Sequence, residues 1–307
     1  MDKEIENDCE ILKKALKEKG DKLINFILSK TKKERQLIRA KYKVCWGVDL
    51  LVDIDKSLFH NFRKTVRALF QRPAEFDAEC LYHAMKGIGT NEEIIIEILC
   101  TRSNTEIKEI INEFSKISFD FSLEHWILSE TSGAFQKILI SLIQCQRNET
   151  KLSDENKCKQ LAQDLYEAGE NKLGTDQEIF NKIFSTSSPA ELYSINEHYS
   201  SISKNDLRTA IEKEYSGDIR NALLTILDSQ LNPSEYYARR VNKAVKGLGT
   251  RDRMLIRTLV SREEIDIPEI RECYKKIYGR HMVDDVSDDT SGDYGKILTG
   301  IVRSVYR

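Results

Sequence analysis

Three short glycine-bearing strings, each followed at nearly constant distance by an acid, are the residues of this chain best suited to chemistry. KGIGT (86–90) and KGLGT (246–250) are near copies, and a longer version, GENKLGT (169–175), carries extra residues before its final Gly-Thr. About 40 residues after the last glycine of each comes an acid followed two positions on by Ser-Gly: Glu130-Thr-Ser-Gly133, Glu214-Tyr-Ser-Gly217 and Asp289-Thr-Ser-Gly292. Such a pairing suits a hard divalent cation. Calcium takes about six to eight oxygens, and a glycine loop, tolerant of positive φ, can turn several backbone carbonyls toward one point. A carboxylate from a second loop lying alongside would add a charged ligand, leaving positions for water or a phosphate oxygen. The plainer alternative, a glycine cap ending one helix and a threonine opening the next, accounts for each turn taken singly. It leaves the spaced acid without a purpose.

Other chemistries fit worse. Neither KGIGTNEE nor KGLGTRDR has the third glycine of a dinucleotide fingerprint or the GK[ST] of a P-loop, and VSDDTSGDYGKI offers no EF-hand register. The five histidines (60, 83, 125, 198, 281) are dispersed, with no HExxH and no local nucleophile–base set, so the chain is not expected to be an enzyme. With 48 basic and 50 acidic residues the net charge is −2, which gives no drive toward nucleic acid or anionic lipid by charge alone. An anionic partner would need a bridging cation.

The elements that must position these residues are helical. Only four prolines in 307 residues and 32% charged side chains favour an all-α chain. PAEFDAECLYHAMKGIGT (73–90) aligned with PSEYYARRVNKAVKGLGT (233–250) shares Pro, Glu, Ala, Lys, Gly and Thr positions, which marks an internal repeat. Between turn and acid, segments such as NEEIIIEILCTR and TEIKEIINEFSKI place apolar residues at i, i+3, i+4 and i+7. Thr90 with Glu93 and Thr175 with Glu178 have capping-box spacing, and Asp252 puts charge in a first turn. Each unit then holds five short helices, and the chain divides into 1–71, 72–146, 147–231 and 232–307, with linkers near 71–74, 146–158 and 229–234.

The first unit departs from the template. ALKEKGD (15–21) occupies the turn position with Glu18 at the first glycine, and in SLFHNF Ser57 stands at the acid's place, so this unit reads as scaffold without a site. The seven cysteines are scattered and odd in number, and are expected as free buried thiols in a reducing cytosol. The acidic MDKEIENDCE is unlike a signal peptide, and no run of about 18 apolar residues occurs. Trp46 and Trp126 are expected to pack in the core, with a membrane-interface contact as the alternative for Trp126, which lies just before Glu130.

MKGIGTNEE followed by TRSNTEIKEI, VKGLGTRDR followed by SREEIDIPEI and DDTSGDYGK, and GENKLGTDQEIF with IEKEYSGDI resemble the second, fourth and third repeats of the annexins. The resemblance spans the whole chain as four repeats. It implies a curved all-α disk of four five-helix repeats that binds Ca2+ and, through it, acidic phospholipid membranes. Carried over residue by residue, the carbonyl ligands would be Met85, Gly87 and Gly89 with Glu130, then Gly169, Lys172 and Gly174 with Glu214, and finally Val245, Gly247 and Gly249 with Asp289. The membrane-facing residues would be Ile88, Leu173 and Leu248. Repeat one lacks the site, and Asp289 offers a shorter arm than glutamate. The stretch before the first repeat is only about ten residues, so the resemblance implies little room for partner-binding extensions and tail-mediated regulation is not expected. The divergent first repeat is also similar to the alpha-giardins, protist members associated with plasma membrane, flagella and cytoskeleton. The resulting expectation is a cytoplasmic protein, monomeric in solution and able to self-associate on the inner face of the plasma membrane. The alternative is a cytoskeleton-associated helical scaffold with weakened calcium sites.

Overall fold

The computed structural model describes residues 2–119 and 121–305, which form helices and turns with no strand among them. Five helices make up each repeat. Repeat one has α1 (Asp2–Glu18), α2 (Gly20–Ser29), α3 (Lys32–Trp46), α4 (Leu50–Ser57) and α5 (His60–Phe70). Repeat two has α6 (Pro73–Met85), α7 (Glu92–Thr101), α8 (Asn104–Ile117), α9 (Leu123–Glu130) and α10 (Gly133–Ile143). Repeat three has α11 (Glu155–Ala168), α12 (Gln177–Thr186), α13 (Pro189–Ile202), α14 (Leu207–Glu214) and α15 (Gly217–Leu231). Repeat four has α16 (Pro233–Val245), α17 (Asp252–Arg262), α18 (Ile267–Tyr278), α19 (Met282–Asp289) and α20 (Gly292–Arg303). Two compact units result, one combining the chain up to Pro73 with the chain from Ser234 onward, the other running from Ala74 to Pro233.

Burial follows periodicity. In the second unit Ile94–Cys100 of α7, apolar except for a buried Glu97, is covered on every side, and α7 packs against α15. Phe114, Ile138, Leu165, Phe184 and Leu223 extend the same core. In the first unit α1 packs on α3, and α20 packs on α2 and α5, closing a core around Leu12, Ile27, Tyr42, Phe70, Leu255, Tyr274 and Leu298. Arg35 is buried there, its guanidinium bonded to both oxygens of Glu263 and to Ile27 O.

Helix starts depart from the sequence expectation. Thr90 and Thr175 cap nothing: Asn91 Oδ1 accepts from Ile94 N, and Asp176 Oδ1 accepts from Glu178 N, so each helix opens one residue later. Full capping boxes occur instead on the third helix of repeats one to three, at Thr31/Glu34, Ser103/Glu106 and Ser188/Glu191. In repeat four the equivalent Asp266 accepts no capping bond, because Arg262 holds its carboxylate at 2.7 and 2.6 Å. Asp252 sits in the first turn of α17 as expected.

The cysteine expectation also needs amending. All seven are free, but Cys45 is exposed and Cys80 and Cys273 are only partly covered. Burial pushes the thiols of Cys9 and Cys100 up to about 11 and about 12, which makes them poor nucleophiles. Trp126 is partly buried against Tyr82 and Phe114. Among the described residues no helix is long and apolar enough to cross a membrane.

Candidate metal sites

In each of repeats two, three and four the turn is tied shut at its base by the same backbone bond. Asn91 N–H donates to Ala84 O at 2.8 Å, Asp176 to Ala168 O at 2.7 Å and Arg251 to Ala244 O at 2.8 Å. The residues between must bulge outward. Gly87 and Gly89 do so at φ 110 and 84, values closed to ordinary L residues, and Gly247, Gly249 and Gly174 take the corresponding 120, 82 and 82. Among the described residues no backbone N–H bonds to the carbonyls of Met85, Gly87, Gly89, Val245, Gly247 or Gly249. In repeat three the Gly169 carbonyl already accepts from Lys172 N–H at 3.1 Å, which leaves it one lone pair.

The distant acids do lie beside these turns. Thr90 Oγ1 donates to Glu130 Oε2 at 3.0 Å. The Thr175 hydroxyl makes the same bond to Glu214 Oε2. A Cβ added at Gly169 would stand 3.5 Å from Glu214 Cγ, so the acid's stem runs along the start of the turn. In repeat four the shorter acid changes the pattern: Thr250 Oγ1 donates to the Asp289 backbone carbonyl at 2.7 Å. Asp289 Oδ2 is left buried with no hydrogen-bond partner.

That orphaned oxygen is a direct test of fit. A buried acceptor without a partner costs about 1–3 kcal/mol, more when charged, unless a ligand satisfies it. A cation held by Asp289 and the Val245, Gly247 and Gly249 carbonyls would do so. Among the described residues no group of three or more His, Cys, Asp and Glu side chains is placed to hold a metal ion. A site built from these turns would draw mainly on backbone oxygen, the donor set that suits calcium rather than zinc or copper.

At the tip of each turn stands an apolar residue with nothing to cover it. Ile88, Leu173 and Leu248 have relative accessibilities of 108, 103 and 109%. Sequence reasoning missed one further residue of the repeat-three turn, Glu170. Its carboxylate accepts from Tyr199 Oη at 2.9 Å and from Ser203 and Asn205, tying the turn to the C-terminal end of α13. Burial pushes Glu170 up, but those three hydrogen bonds outweigh it and hold the carboxyl below the usual glutamate range. Nothing in one sequence marks Glu170 apart from other surface glutamates.

Comparison with known proteins gives this arrangement its relatives. The annexin family model matches residues 7–69, 76–142, 160–226 and 236–301. Human annexin A11 is 42% identical over 297 residues, 96% of this chain, which spans 59% of that protein's length. Human annexin A13 is 39% identical over 303 residues, covering 98% of this chain and 96% of that one. Among solved structures annexin III superposes with a TM-score of 0.93 at 37% identity, over 98% of this chain and 94% of that one. Calcium-bound alpha-14 giardin, at 20% identity and a TM-score of 0.81 over 98% of this chain and 100% of that one, shares the fold alone. With its matches falling on all four repeats and a relative aligned along nearly its full length, the chain belongs to the annexin family.

Proposed function

We propose that this protein binds anionic phospholipid membranes in a calcium-dependent manner, through sites in 72–146, 147–231 and 232–307, and that 1–71 carries no calcium. The ligands are the carbonyls of Met85, Gly87 and Gly89 with Glu130, of Gly169, Lys172 and Gly174 with Glu214, and of Val245, Gly247 and Gly249 with Asp289. Calcium, when bound, supplies the positive charge that a surface of net charge −2 lacks for attracting lipid phosphate. The chain ties the carboxylates of Glu130 and Glu214 and the backbone of Asp289 to their turns and leaves Ile88, Leu173 and Leu248 exposed at the tips. Immersing one such side chain in an apolar phase is worth about 1.5–3 kcal/mol. The observation that carries the reading is this coincidence of a fully exposed apolar tip and a positioned acid, three times over. It supports a protein resting on the cytoplasmic face of a membrane and soluble when calcium is low.

Sedimentation with phosphatidylserine vesicles tests it. Binding in calcium and release by chelator are expected, and Glu130→Gln/Glu214→Gln/Asp289→Asn should abolish binding while the helical content is kept. Equally strong sedimentation in chelator would sink the reading. Capture of filament protein in chelator by the triple variant would instead favour the cytoskeletal scaffold that repeat one, with no acid at Ser57, leaves open.

A further inference from the structure

Repeat one has lost the calcium ligands but not the meeting of its two loops. Lys19 follows α1 at the position that Ile88, Leu173 and Leu248 hold in the other repeats, with φ 62. Phe59 lies two residues after Ser57 and just before His60, which takes φ 51 where the other repeats have Gly133, Gly217 and Gly292 at 62, 63 and 60. A histidine in the left-handed region is strained. The second loop therefore keeps the backbone path of a site-bearing repeat despite the change of residue.

Where a threonine meets an acid in repeats two and three, a cation here meets a ring. The Lys19 ammonium lies 5.1 Å from the Phe59 ring centroid, and it enters no ion pair among the described residues. Phe59 is 62% exposed, a large apolar side chain that the protein leaves in water. The pair also lies close in sequence to a contact with α20 of its own unit. Asp21, two residues past Lys19, bonds Lys296 Nζ at 2.6 Å, and Lys296 lies in the second turn of α20, which begins just after Asp289. The Asp21–Lys296 pair thus joins the start of α2 to the first turns of α20, the helix that follows the candidate repeat-four site.

We propose that Lys19 and Phe59 form a calcium-free contact of repeat one with the anionic phospholipid surface, the ammonium engaging lipid phosphate and the ring entering the interface. The pairing fits that occupant because one end is cationic and the other apolar at one spot, while the flanking acids Glu18 and Asp21 are already paired with Lys22 and Lys296. A lysine at an anionic bilayer is worth a factor of about five in affinity. The proposal rests on the membrane reading above.

The experiment compares the parent protein, Lys19→Gln/Phe59→Ser and Lys19→Arg on phosphatidylserine-containing vesicles at saturating calcium. The double variant should bind at least about fivefold more weakly, with its calcium requirement kept, and Lys19→Arg should match the parent. In a second measurement, Phe59→Trp should gain fluorescence that brominated lipid quenches beyond the quenching of Trp46 and Trp126 in the parent. If the parent itself fails to bind in calcium, the membrane reading falls and takes this contact with it. If the parent binds but the double variant binds equally, or Trp at position 59 escapes quenching, only the contact is overturned. Unchanged vesicle affinity with lost binding to a polyglutamate peptide would likewise overturn it, in favour of an acidic protein partner.

Discussion

Thr90 and Glu130 stand 40 positions apart in sequence and are joined by a 3.0 Å hydrogen bond from the threonine hydroxyl to Glu130 Oε2. The bond fixes the acid's rotamer beside the turn before any ligand arrives. Thr90→Val should free that side chain. A hydrogen bond to a charged group contributes about 1.5–3 kcal/mol, and less at a partly solvated site. A loss of about 1 kcal/mol would raise the calcium concentration for half-maximal vesicle binding roughly fivefold. Thr250→Val should shift it less, because Thr250 holds the Asp289 backbone and not its carboxylate. Calcium titrations of the two variants side by side decide the point; equal shifts would mean the threonine does not act by orienting the side chain.

Asp289 should trade stability for binding. With Oδ2 buried and unpartnered in the absence of a cation, Asp289→Asn removes a stranded charge while keeping the shape. The calcium-free protein is expected to melt at the same temperature or higher, by up to about 1–3 kcal/mol of added stability. In calcium the order should invert, because the parent gains ligand-linked stability that the variant lacks. Thermal melts of both proteins with calcium and with chelator check this. A variant that is less stable in chelator would show that the oxygen has a structural partner.

The pairing of each turn with its distant acid was more legible in the sequence than the helix ends around it. Spacing alone paired Gly89 with Glu130, Gly174 with Glu214 and Gly249 with Asp289, because a repeated architecture prints its geometry three times. The same spacing could not say what Thr90 and Thr175 bond to: T-x-x-E fits a cap locally, and only the arrival of a distant carboxylate diverts the hydroxyl. Asn91 and Asp176, also good capping residues, then take over one position later. Glu170 and the Arg35–Glu263 pair were invisible for a related reason. Their partners come from other helices, and no local pattern encodes a contact between residues 35 and 263.

Glu170 makes the repeat-three turn sensitive to acid. Its carboxyl is held below the ordinary glutamate value of about 4.3 by bonds from Ser203, Tyr199 and Asn205 that overcome burial. A depressed folded-state pKa contributes stability that is present above the unfolded value and lost as pH falls through the folded one. The anchoring should thus be complete at neutral pH, begin to weaken near pH 4.3 and vanish below it. Amide exchange across residues 169–176 should accelerate in that window faster than across 85–91, whose turn has no such anchor. Glu170→Gln should exchange quickly at all pH values. A pH profile in the variant matching the parent's would refute the assignment.

Arg35 and Glu263 tie repeat one to repeat four within a single core, and neither can lose its partner cheaply. Arg35 is fully buried, with bonds to both Glu263 oxygens and to Ile27 O at 3.3 Å. Arg35→Met would leave the buried Glu263 charge without its two-pronged partner and with the nearby Lys32 ammonium to offset it in part, which costs up to about 3–5 kcal/mol. Removing both charges in Arg35→Met/Glu263→Leu should restore most of that loss, since a buried ion pair and an apolar pair of similar volume are often close in stability. The damage should also be local. Chemical denaturation should show the single variant destabilised and the double variant near the parent, while amide protection falls in α3 and α17 of the single variant and holds in α7 and α8 of the other unit. A double variant no more stable than the single would show that the pair contributes packing that apolar side chains cannot replace.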